Sequence, residues 1–99
     1  MTDSLLAAFI ISGNIQGAIR LVVYSAAIIR KAQQTNFLFF NGKATRSIIG
    51  GLFYIVGVQC CMDVKQKTIA YVLNTTDTSI RRSYREWLET FPNMFSDTQ

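Results

Sequence analysis

The stretch IIGGLFYIVG, residues 48–57, constrains the fold more than any other part of the chain. It is apolar at nearly every position, so a helix through it has no face to turn towards water. Such a helix has to be central, with the other elements packed around it. Gly50, Gly51 and Gly57 fall inside it. Each lowers helix propensity by about 1 kcal/mol relative to alanine, and each lets a neighbouring helix come close. A central helix over residues 44–61 is therefore expected.

The flanking sequence reads as helices separated by short polar breaks, with no alternating strand pattern and no internal repeat. Thr2 or Asp3 can cap a first helix to about residue 11, which Ser12-Gly13-Asn14 ends. A second is expected over 15–33, with Ile19, Val22, Val23, Ala26 and Ile29 as its core-facing side. FLFFNGK, 37–43, reads as a connection whose phenylalanines fold back onto the core, or as a short strand. A fourth helix is expected over 64–73 and a fifth over 77–91, halted before Pro92. Residues 1–92 then make one all-α domain of five helices, and 93–99 form a loose tail apart from Met94 and Phe95.

Composition narrows the function. There is no histidine among the 99 residues, which removes Cys₂His₂ zinc sites, the usual general base, and Ser-His-Asp or Cys-His nucleophile pairs. Cys60 and Cys61 are adjacent, without the spacing of a metal knuckle or a redox CxxC, and read as core filler in a reducing intracellular compartment. Neither enzyme chemistry nor a cofactor is expected. MTDSLLAAFII lacks the basic start and cleavage site of a signal peptide. The apolar runs are too short or too interrupted for the ~20 residues of a membrane span. Net charge is +4, and residues 43–85 carry seven Lys/Arg against only Asp63 and Asp77. That favours a polyanionic partner.

The positive charge is patterned. At about 100° per residue, Ile80, Tyr84, Trp87 and Leu88 form one stripe of the fifth helix. Thr78, Arg81, Arg82 and Arg85 form another, roughly a third of a turn away. Thr75 or Thr76 can cap the first turn, where free N–H groups suit a phosphate. Arginine's flat fork suits both phosphate and the guanine edge. Lys65, Gln66 and Lys67 stand at the start of the fourth helix. Residues 64–91 thus have the outline of a helix-turn-helix, with Lys65, Gln66, Lys67, Thr76, Thr78, Ser79, Arg81, Arg82 and Arg85 as DNA-facing candidates. The plainer reading is a solvated helix in which Arg82 pairs with Glu86 and Arg85 with Glu89.

The segment GKATRSIIGGLFYIVGVQCCMDVKQKTIAYVLNTTDTSIRRSYREW resembles the second cyclin-like repeat of transcription factor IIB and its archaeal counterparts. The family pattern is Gly-Arg-(Ser/Asn)-Pro, a small-residue helix with a Tyr, Arg/Lys-Thr-Gln-Lys/Arg-Glu-Ile, Ala-Gly-Val, then Val-Thr-Ile-Arg-x-x-Tyr. Here those positions hold Gly42-Lys43-Ala44-Thr45, Tyr54, Val64-Lys65-Gln66-Lys67-Thr68-Ile69 and Asp77 through Arg85. No gap separates Gly42 from Tyr84, and looser likeness extends back to Leu5 and on to Phe91-Pro92-Asn93-Met94-Phe95.

The resemblance implies a five-helix cyclin-like fold whose last two helices bind double-stranded promoter DNA upstream of the TATA box. TATA-binding protein would be a partner, and RNA polymerase would be engaged through parts this chain lacks. By position, Arg81 matches a base-reading arginine, Thr78 the residue beside it, and Arg85 a phosphate contact. The setting would be a nucleus in a eukaryote and the cytoplasm in an archaeon. The chain departs from the family at Thr45 for proline, Thr68 for glutamate, Asn74 for the turn glycine, and Thr78 for valine. The zinc ribbon and the first repeat are also missing. A cyclin-fold adaptor that binds only proteins is the alternative reading, and a small membrane hairpin is a third.

Overall fold

A computed structural model describes residues 2–95, with side chains from Leu6 onward. The side-chain cap expected at Thr2 or Asp3 falls before the described side chains, and the tail from Ser96 to Gln99 lies outside the described residues. The described chain is all-helical: α1 Thr2–Ser12, α2 Ile15–Thr35, a 3₁₀ turn Phe37–Phe40, α3 Thr45–Gln59, α4 Gln66–Val72, α5 Asp77–Thr90 and α6 Pro92–Phe95. Among the described residues there are thus six α-helices rather than five, the extra one being a single turn after Pro92. No helix among them is long and apolar enough to cross a membrane.

The apolar run does form the central helix. Ile48, Gly50, Gly51, Leu52, Phe53, Ile55, Val56 and Gly57 of α3 are buried, and α2, α4 and α5 pack around it. The closest approach is to α5. A Cβ at Gly51 would stand 2.7 Å from the backbone nitrogen of Tyr84 and collide with the Ser83 hydroxyl. A Cβ at Gly50 would collide with Cδ1 of Ile80. The helices therefore meet backbone to backbone at this point. Gly57 makes the corresponding space for Val64, whose Cγ2 would lie 2.6 Å from an added Cβ. Val64 is thereby held in an extended segment, and α4 starts later than expected, at Gln66.

Trp87 locks the other end of the α3–α5 contact. It is fully buried, and its indole N–H donates to the Ile48 carbonyl at 3.1 Å. Phe39, Phe91 and Phe40 surround it with ring centroids at 4.8, 5.4 and 6.0 Å. Phe95 closes the set at 6.3 Å, and the Gln59 side-chain amide donates to its carbonyl. This anchorage explains α6: Asn93, expected in the loose tail, is drawn into a helical turn with Met94 and Phe95 because Phe95 completes the aromatic cluster. FLFF folds back only in part. Phe39 is buried and Phe40 half-buried, whereas Phe37 and Leu38 face solvent.

Two expectations hold only in part. The buried side of α2 is Gly17, Ala18, Leu21, Ser25 and Ala32, and the expected core residues Ile19, Val23 and Ala26 point outward. Val22 and Ile29 of the expected side are half-buried against the core, so the buried side is rotated towards Leu21 and the small residues around it. Of the two cysteines only Cys60 serves as core filler, half-buried against the core, whereas Cys61 is exposed. Cys61 has φ of 60° and ends α3, with the Met62 N–H donating to the Gly57 carbonyl at 2.8 Å. This is a six-to-one helix stop, normally made by glycine.

Gly51→Ala separates two effects of opposite sign. Helix propensity alone would stabilise the variant by about 1 kcal/mol. The collision with Tyr84 and Ser83 should outweigh that, for a net loss of about 1–3 kcal/mol in urea unfolding. A variant as stable as the wild type would mean that α5 does not sit this close.

Candidate nucleic-acid interface

The turn between α4 and α5 is built by two local devices. Asn74 takes φ of 57°, and the Thr75 N–H reaches back to the Ala70 carbonyl at 2.8 Å, closing α4. Asparagine tolerates this left-handed conformation, so replacement of a turn glycine leaves the geometry possible. Two residues later Thr76, with extended φ and ψ, caps α5 by accepting from the Ser79 N–H at 3.1 Å. Its hydroxyl also donates to Ser79 Oγ at 2.9 Å. Both hydroxyls expected to face DNA are thus engaged in the cap. Asp77 adds a carboxylate to the first turn of α5, where it uses the positive end of the helix dipole otherwise open to a phosphate.

α5 has the two stripes expected of it, with one change. Ile80 and Trp87 are fully buried and Tyr84 half-buried, its ring 5.0 Å from that of Tyr54. Leu88 is largely outside, and Ser83 takes its place in the contact with α3. Ser83 was hidden from the apolar pattern because it is a small polar residue. The paired glycines at 50–51 were the available sign that something small had to face them. Thr78, Arg81, Arg82 and Arg85 are exposed on the other side. About 6 Å of helix axis separates Arg81 from Arg85, at 1.5 Å per residue.

The seven cations between residues 43 and 85 divide by what holds them. Lys43 donates to the Phe39 carbonyl at 2.7 Å, with its ammonium 4.5 Å from the Phe39 ring centre. Arg46 donates from α3 to the Asn74 carbonyl at 3.0 Å, tying the central helix to the turn. These two are structural. Lys65, Lys67, Arg81, Arg82 and Arg85 are exposed, and none has a hydrogen-bond or ion-pair partner among the described residues. The Arg82–Glu86 and Arg85–Glu89 pairs of the plainer reading do not form.

Thr78, Arg81, Arg82, Arg85, Glu86 and Glu89 line an open groove of about 390 Å³ along α5. Its arginines lie towards the N-terminal half of the helix and its carboxylates towards the C-terminal half. A cleft of about 400 Å³ lies on the far flank of Arg82, between the Asn41–Ser47 connection and Ser79, Ser83 and Glu86. Arg82 thus stands on the ridge between two depressions. Lys65 and Lys67 flank the start of α4 and Gln66, its first residue, is half-buried. Among the described residues no three His, Cys, Asp or Glu side chains converge on one point.

The chain matches no protein-family model, no curated protein and no solved structure.

Two substitutions at the turn test its construction. Thr76→Ala removes the cap and should lower stability by about 1 kcal/mol. Asn74→Gly relieves the left-handed backbone, and its effect should be neutral or slightly stabilising. Both are measurable by urea unfolding followed by circular dichroism. A Thr76→Ala variant as stable as the wild type, or an Asn74→Gly variant that is clearly destabilised, would show that the turn is not held in this way.

Proposed function

We propose that the chain is a promoter-binding module akin to the second cyclin-like repeat of transcription factor IIB. In this reading α4, the turn and α5 act as a helix-turn-helix that binds duplex DNA upstream of a TATA box, beside TATA-binding protein. It works by binding, without catalysis. RNA polymerase would be reached through other parts of the assembly.

One observation carries the reading. On the helix-turn-helix outline, five cations are exposed and uncommitted, while the other two of that region are used internally. A purely structural surface helix gains nothing from three unpaired guanidiniums on one side. Arg81, in the first half of α5, would meet a base edge in this reading, since the N-terminal part of a recognition helix enters the major groove. Arg82 and Arg85 flank it towards the two strands, and Lys65 and Lys67 would meet the backbone alongside α4. Thr78 would lie next to Arg81 against a base. Thr76 and Ser79 serve by holding the helix start in shape.

Anisotropy of a labelled promoter duplex, with and without TATA-binding protein, tests this. Affinity should fall steeply with salt, each phosphate contact adding about 0.9 to the log–log slope. Arg81→Ala should weaken binding by about 1–3 kcal/mol on a matched site while leaving most of the salt slope. Lys67→Ala should weaken all sequences alike and reduce the slope. No binding at low salt, with or without TATA-binding protein, would overturn the proposal and leave the adaptor reading in its place.

A further inference from the structure

The outer surface of the α1–α2 hairpin is apolar and is covered by nothing among the described residues. Leu6, Phe9 and Ile10 of α1 and Ile15, Ile19 and Val23 of α2 are each between 43% and 60% exposed. In α2 the exposed residues follow i, i+4, i+8 on the side of the helix opposite Leu21, Ser25 and Ala32. The hairpin buries Leu21 and Ile11 together with Ala8, Ala18 and Ala32, yet six further large apolar side chains stay on its outer side, three on each helix.

We infer that this surface is a two-fold interface between copies of the chain, pairing two α1–α2 hairpins into a four-helix layer. Charge and area select this occupant. The whole chain carries +4, so two copies repel at any face that shares the excess. Residues 4–19 contain no charged residue, and the exposed Arg20 borders the patch beside Val23, so identical copies meet here with like charge only at the edge. A two-fold contact also requires a patch that complements itself, and an uncharged apolar patch does so. The six side chains offer on the order of 500 Å² of apolar surface per copy, so a pair buries about 1,000 Å², enough for a specific interface. α5 packs on α3 and α4 rather than on this hairpin, so the arginine groove stays open in the pair. The inference goes beyond promoter binding and does not depend on it.

Sedimentation equilibrium of the full chain without DNA, over roughly 1 to 200 µM, tests it. The wild type is expected to pass from monomer to dimer with no larger species. Ile19→Glu, Val23→Lys and Phe9→Glu each place a charge in the contact and should raise the dissociation midpoint at least tenfold. Their fold is checked by circular dichroism, and Arg81→Ala should leave the midpoint unchanged. A wild type that stays monomeric throughout, association that continues past the dimer, or a dimer indifferent to folded variants at all three positions would overturn the inference. DNA binding that fails while dimerisation persists would count against the promoter reading alone.

Discussion

Between Gly50 and Gly51 of α3 and Ile80, Ser83 and Tyr84 of α5 there is no room for a methyl group. The direction in which the arginines point depends on this contact. Helix axes kept apart by ordinary side chains can slide and rotate by a fraction of a turn, because flexible side chains adjust. Backbone against backbone removes that freedom, as interiors are packed to crystal-like density. Trp87 then fixes the axial position through its hydrogen bond to Ile48 and its cage of phenylalanines. With both settled, one side of α5 is spent on α3 and the other is left to Arg81, Arg82 and Arg85.

The same economy governs the turn. α4 is only seven residues long and would be marginal by itself. It is held by Ile69 and Ala70 in the core, by the stop at Asn74, and by Arg46 reaching across from α3 to the Asn74 carbonyl. The central helix thus fixes α5 by packing and the turn before it by a charged hydrogen bond. In the proposed role, an element supported in this way would lose little loop entropy on meeting DNA.

Much of this was legible in the residues. An apolar run with three glycines could only be a central helix, and the offset of Ile80, Tyr84 and Trp87 from the arginines placed the two sides of α5 correctly. Other features needed the third dimension. Leu88 and Ser83 exchange roles because the glycine surface of α3 admits a serine and has no space for leucine. Periodicity favoured the wrong side of α2, because the buried side holds Gly17 and Ser25 among its apolar residues and the more hydrophobic Ile19 and Val23 face out. The position of Cys61 at a helix stop, and of Phe95 in the aromatic cluster, follows from contacts distant in sequence. The division of the cations was hidden too: Lys43 and Arg46 look like the other five until their carbonyl partners are placed.

The central claim is that these packing constraints present one side of α4–α5 to a duplex and keep the α1–α2 hairpin away from it. Titration of the isotope-labelled chain with promoter duplex, followed by amide chemical shifts, tests that most directly. Shifts should concentrate at Lys65–Lys67 and along Thr78 to Arg85, with residues 6–23 unmoved. Shifts centred on the α1–α2 hairpin, or none at any duplex concentration, would contradict the account.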